Sequence, residues 1–103
     1  MLYYDVSQDF AVLKFDPSAT AARPTAVTLG NSSTVAAGDP VLINGNNEGY
    51  VFSAIEGVVS DVRVLSDTAG TRPSIDIDTT TDSGGGSSGS PVWNAQGQVV
   101  AVN

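Results

Sequence analysis

No histidine and no cysteine occur among the 103 residues of this chain. Without cysteine there can be no disulfide and no thiolate metal site, and the redox compartment cannot be read from composition. Without histidine the chain lacks the one side chain whose ordinary pKa lets it exchange a proton near neutral pH. Basic residues are scarce as well: four Lys and Arg stand against eleven Asp and Glu, a net charge of -7. That balance argues against a nucleic-acid partner, which rewards clustered basic residues, and against anionic membrane surfaces. A cationic partner or plain solubility fits it. No run approaches the roughly 20 apolar residues of a membrane-spanning helix. The first ten residues, MLYYDVSQDF, show neither the basic nor the apolar region of a secretory signal, and the localisation is left open.

What is present is enough for one domain. A 41% hydrophobic content over this length supports a single modest core rather than disorder. Short β-type runs recur between turn signals, and no segment of convincing length has helical periodicity. FAVLKF (10–15) is apolar on both faces, as in a strand covered on both sides, and Asp16-Pro17 stops it. TAVTLG (25–30) precedes a turn at Gly38-Asp39-Pro40, after which VLING leads into Asn44-Gly45-Asn46-Asn47, a strong hairpin signal. YVFSAI and EGVVSDVRVL are rich in β-branched residues, and SIDID (74–78) alternates apolar and acidic side chains like a half-buried strand. PVWN-AQG-QVVAVN at the end reads as strand, tight turn, strand. The pattern predicts an all-β sandwich or barrel.

Between two of these strands lies DSGGGSSGSPVWN, residues 82–94. Its composition is that of a flexible linker, but a linker joins modules and this one runs straight into a strand. Gly84, Gly86 and Gly89 satisfy G-x-G-x-x-G, yet a dinucleotide site needs a helix next, and Pro91-Val92-Trp93 is strand-like. The G-x-S-x-G elbow of α/β-hydrolases fails because Ser90 holds the last glycine position. The remaining reading is an oxyanion loop, in which glycines turn backbone N–H groups toward a developing negative charge beside a nucleophilic hydroxyl.

Gly86-Ser87-Ser88-Gly89-Ser90-Pro91 resembles the G-[DN]-S-G-[GS]-P motif of chymotrypsin/trypsin-like serine proteases, particularly their HtrA-like and glutamyl-endopeptidase-like branches. Asp9-Phe10-Ala11-Val12-Leu13 is similar to the family segment that carries the triad aspartate. Leu29-Gly30, Gly38 to Val41 and Gly57 to Ser60 resemble the first strands of its C-terminal barrel, and Gly97 to Asn103 a later one. The resemblance implies that Ser88 is the nucleophile, that the N–H groups of Gly86 and Ser88 form the oxyanion hole, and that Asp9 is the triad acid. Ser87 replaces the usual Asp or Asn, which makes activation by a freed N-terminus unexpected. Asp82, with Ser83, falls where basic-specific members place the floor of the substrate pocket, which would favour Arg or Lys; a solvated loop aspartate is the alternative. Asp76 and Asp78 read as the wet face of a strand rather than metal ligands, so neither metal nor cofactor is expected.

The implied fold is a six-stranded Greek-key β-barrel, the C-terminal one of the family's two, whole or in part. Residues 1–103 would form a single domain, with 1–24 the triad-Asp strand and inter-barrel linker and 25–103 the barrel. The family's histidine belongs to the other barrel, ahead of the aspartate. Lys14 is a poor substitute, with nothing in the spacing placing it near Ser88, and Arg23, Arg63 and Arg72 stay protonated. The chain is therefore expected to be a truncated module, inactive alone. The alternatives are a half-enzyme completed by a histidine-bearing barrel in trans and an unrelated β-sandwich binding module. The apolar strand at the chain's end and the face meant for the missing barrel lead us to expect self-association, as a dimer.

Overall fold

The computed structural model describes residues 2–6, 8–19, 21–66 and 73–103. Arg72 lies outside them. Among the described residues there are seven strands and no α-helix, only single 3₁₀ turns at Pro17–Ala19 and Ser32–Thr34. β1 (Tyr3–Asp5) and β2 (Phe10–Val12) form an antiparallel two-stranded ribbon. β3 (Pro40–Asn47), β4 (Tyr50–Ser66), β5 (Pro73–Thr79), β6 (Pro91–Trp93) and β7 (Val99–Val102) form a five-stranded sheet in the order β5-β4-β3-β6-β7.

β4 shapes this sheet. Its first half pairs with β3 up to Val58 and its second half with β5 from Val59 onward. A bulge between Val59 and Asp61 marks the changeover, and bulges bend and twist the strand that carries them. The sheet thus curls as half of a barrel. Thr28 to Gly30 lies along β7, with Val99 N–H donating to Thr28 O (2.9 Å) and Gly30 N–H to Val99 O (2.8 Å), but forms a bridge rather than a sixth strand.

Alternation sets the core. Val41 and Ile43 point inward from β3, Val59 from β4, Val92 from β6 and Val100 from β7, with Val35, Val62, Ile77 and Ala101 packed around them. Burying each such side chain stabilises by about 1.5–3 kcal/mol. Five buried apolar residues among those described make a small core, so hydrogen-bonded loops carry a larger share of the order than in a bigger domain.

Two local expectations are corrected. The hairpin after β3 does not turn at Asn44-Gly45-Asn46-Asn47, which lies within the strand. It turns at Glu48-Gly49, both with positive φ (51° and 83°), as in a type I′ turn. Extending β3 keeps Val41 and Ile43 in register with the core, and that outweighs the local turn preference. FAVLKF is not a doubly covered strand. Only Phe10–Val12 is extended, and Leu13 and Phe15 are 70% and 60% exposed. Beyond it the Asp16 carboxylate accepts from Ser18 Oγ (2.7 Å) and Ser18 N–H (2.9 Å), which lowers its pKa. The stability this turn adds is present at neutral pH and fades as pH falls through that lowered value.

SIDID is the half-buried strand β5. Its acids do not simply face water: Arg63 Nη2 lies 3.1 Å from Asp76 Oδ2 and 2.7 Å from Asp78 Oδ2, with Asp61 3.8 Å from its Nε. The guanidinium sits across the strands from both carboxylates and offsets part of the negative charge of the three acids around it.

Candidate active site

The loop between β5 and β6 is tied down along its length. Two β-turns follow one another: Ser87 N–H donates to Gly84 O (3.3 Å) and Ser90 N–H to Ser87 O (3.0 Å). Gly86 and Gly89 hold the third position of each turn with φ of 94° and 86°, the left-handed region that a type II turn demands there. The first turn packs on the tip of the β3–β4 hairpin. Glu48 N–H donates to Gly85 O (2.8 Å), and Gly84 N–H donates to Asn47 Oδ1. A Cβ on Gly86 would lie 2.7 Å from Asn46 O, a contact that no L residue could keep.

These turns bury Ser87 and Ser90 and leave Ser88 exposed between them. Ser87 Oγ donates to Gly84 O (2.7 Å) and accepts from Asn103 Nδ2 (2.9 Å). Gly89 N–H donates to Asn103 O (2.8 Å), and Asn103 N–H to Ser90 O (2.9 Å). Among the hydrogen bonds of the described residues, the N–H groups of Gly86 and Ser88 have no partner. The loop thus carries an exposed hydroxyl and two backbone donors that remain free to bind a ligand.

Asp9 comes to the same place from the other end of the sequence. It sits in the turn between β1 and β2 with φ of 50°, a conformation Asp tolerates better than most residues, and its N–H donates to Val6 O (3.4 Å). Gln8, Asp9, Phe10 and Ala11 line one side of an open cleft of about 490 Å³, and Ser88, Gly89, Val102 and Asn103 line the other. The structure therefore brings Asp9 and Ser88 to one cavity. Asp82 and Ser83 are exposed in the approach to the loop and do not line this cleft; Ser83 Oγ donates to Asn103 Oδ1 (3.4 Å). Lys14 is exposed beyond β2, also outside the cleft lining. Among the described residues no group of three or more acidic side chains is placed to hold a metal ion.

Sequence reasoning did not single out Asn103, Asn47 or Glu48 as supports of the loop. Asn103 stood in a recognised strand motif, but its side-chain reach is a long-range contact with no local signature. Ser87 was noted only for what it is not. Its burial and its two hydrogen bonds give it a part of its own.

A family model for the trypsin-like peptidase domain matches residues 1–102. A pro-apoptotic serine protease NMA111 of Coccidioides immitis is 33% identical over 98% of this chain and 10% of its own length. The chloroplastic protease Do-like 5 of Arabidopsis thaliana is 33% identical over 96% of the chain and 30% of its own. A probable periplasmic serine endoprotease DegP-like of Pseudomonas savastanoi is 36% identical over 96% of the chain and 19% of its own. The chain spans about a tenth of the length of the fungal relatives it matches.

Proposed function

The chain belongs to the trypsin-like peptidases, and from that premise we propose that it is the nucleophile-bearing barrel of such an enzyme, catalytically silent by itself. Residues 1–24 carry the triad acid Asp9 and the connection between barrels, and 25–103 form the barrel proper. Ser88 is the nucleophile, and the N–H groups of Gly86 and Ser88 are the oxyanion donors. The observation that carries this reading is the shared cleft of Asp9 and Ser88, with the loop around Ser88 held at every neighbour and its own N–H unpaired.

The mechanism stops for want of one group. Attack by a serine hydroxyl needs a base to take its proton as the bond to the acyl carbon forms, and that base then protonates the leaving amine. Asp9 would orient an imidazole and stabilise its charged form, but the chain contains no histidine. Peptide cleavage by the purified chain is expected to equal that of Ser88→Ala. Cleavage that the substitution abolishes would refute the reading.

A second reading is supported by the openness of the cleft: a histidine-bearing barrel bound in trans completes the triad. Asp82 and Ser83 then contribute to the pocket for the substrate side chain, with Arg or Lys preferred by charge pairing. Mixing with such a barrel should produce cleavage after basic residues that depends on both Ser88 and Asp9. Unchanged inactivity in a stable mixed complex would discard this second reading.

The apolar surface calls for a partner as well. Leu2, Tyr4 and Val6 near the β1–β2 ribbon are 67%, 63% and 82% exposed, and Leu13 and Phe15 beyond it add to the same segment. Apolar groups left in water at this density favour association, and a second copy is the partner always at hand. Sedimentation at micromolar concentration is expected to show a dimer. A monomer at every concentration would contradict it.

A further inference from the structure

We propose that Asn103 and Ser87 are positioning residues that hold the Ser88 loop in its presenting shape without help from the base or from a second barrel. The inference rests on reading that loop as the nucleophile loop and adds what keeps it in place.

The argument begins with Ser87, which stands where the family motif has Asp or Asn. A short hydroxyl cannot reach far, and here it does not need to. Its buried Oγ donates to Gly84 O at 2.7 Å, closing the first turn alongside the weaker 3.3 Å bond from its own N–H. The oxygen then accepts from Asn103 Nδ2 at 2.9 Å. Asn103 continues the clasp with its backbone, accepting from Gly89 N–H at 2.8 Å and donating to Ser90 O at 2.9 Å. Its Oδ1 accepts from Ser83 Oγ at 3.4 Å.

One residue thus holds both flanks of Ser88 and the entrance of the loop. Between Ser87 and Ser90, Ser88 is the residue that makes no hydrogen bond to Asn103. A buried hydroxyl that both donates and accepts makes the two contacts interdependent, because losing Asn103 Nδ2 frees Ser87 Oγ to rotate away from Gly84 O. The N–H groups of Gly86 and Ser88 are then kept in orientation by the turns they belong to rather than by bonds of their own.

The test is a cycle of Ser87→Ala, Asn103→Ala and the double variant in the full chain, read by amide hydrogen exchange. Each single variant should lower protection at Ser87, Gly89 and Ser90 by about fivefold to tenfold, the worth of a buried hydrogen bond. Protection at Val41, Val92 and Val100 should be unchanged. The double variant should lose scarcely more than either single one, which marks a coupled pair. Equal loss at loop and core amides would mean general destabilisation and overturn the proposal. So would additive effects, or no loss at all. None of these outcomes depends on whether Ser88 ever reacts, so a failure here is separable from a failure of the catalytic reading.

Discussion

Incubated with a fluorophosphonate, the isolated chain is expected to label no faster than its Ser88→Ala variant. Such a probe reports an activated serine, because the hydroxyl must lose its proton as it attacks phosphorus. In serine proteases, loss of the base costs on the order of a millionfold in turnover, and what remains comes from the oxyanion hole and binding. Neither of those takes a proton from Ser88, so the unpaired N–H groups of Gly86 and Ser88, proposed as the oxyanion donors, should not lift labelling above the Ser88→Ala background. Ser88-dependent labelling of the lone chain at the rate of a working protease would mean that another group acts as base. Lys14 could then be tested by Lys14→Met, since the arginines do not give up their protons.

Replacing Gly86 by alanine should destabilise the chain by about 2–4 kcal/mol, among the larger effects of a single substitution. Two costs combine. A φ of 94° is outside the comfortable range of an L residue, and the new Cβ would stand 2.7 Å from Asn46 O, a backbone atom of β3 that cannot swing aside. Gly85→Ala is the internal control, because its Cβ would meet nothing within 4 Å. It should change stability by less than about 0.5 kcal/mol, as surface substitutions usually do. Urea denaturation of the three proteins distinguishes the outcomes. Equal stability of the two variants would mean that the loop does not hold the shape described. With five buried core residues among those described, a loss of this size is a large part of the whole.

The three consecutive glycines are therefore not equivalent, and this marks how far the sequence could be read. That the run is a shaped loop rather than a spacer was legible from its neighbours, a half-buried strand before it and Pro91-Val92-Trp93 after it. Asp9 and Ser88 were legible as candidates from short motifs, and the structure brings them to one cleft. The final strand-turn-strand was legible because Ala95-Gln96-Gly97 is local turn chemistry and the adjoining alternation is strong. Other features depend on tertiary contacts. Asn44-Gly45 is a good turn dipeptide, yet pairing of β3 with both β4 and β6 carries the strand past it. The apolar run from Phe10 to Phe15 has the composition of a covered strand, but nothing in the described chain covers it. Asn103 supports the loop from the far end of another strand, which no local window contains. The pairing of Arg63 with Asp76 and Asp78 likewise waits on the register between β4 and β5.

The central claim is that residues 84–90 form rigid architecture around Ser88, although the base that would use it is missing. Backbone order parameters from nuclear magnetic resonance relaxation test it most directly. Values near 0.85 across Gly84 to Ser90, matching the core strands, are expected. Values below about 0.6 along the same residues would describe a flexible tether and contradict the account.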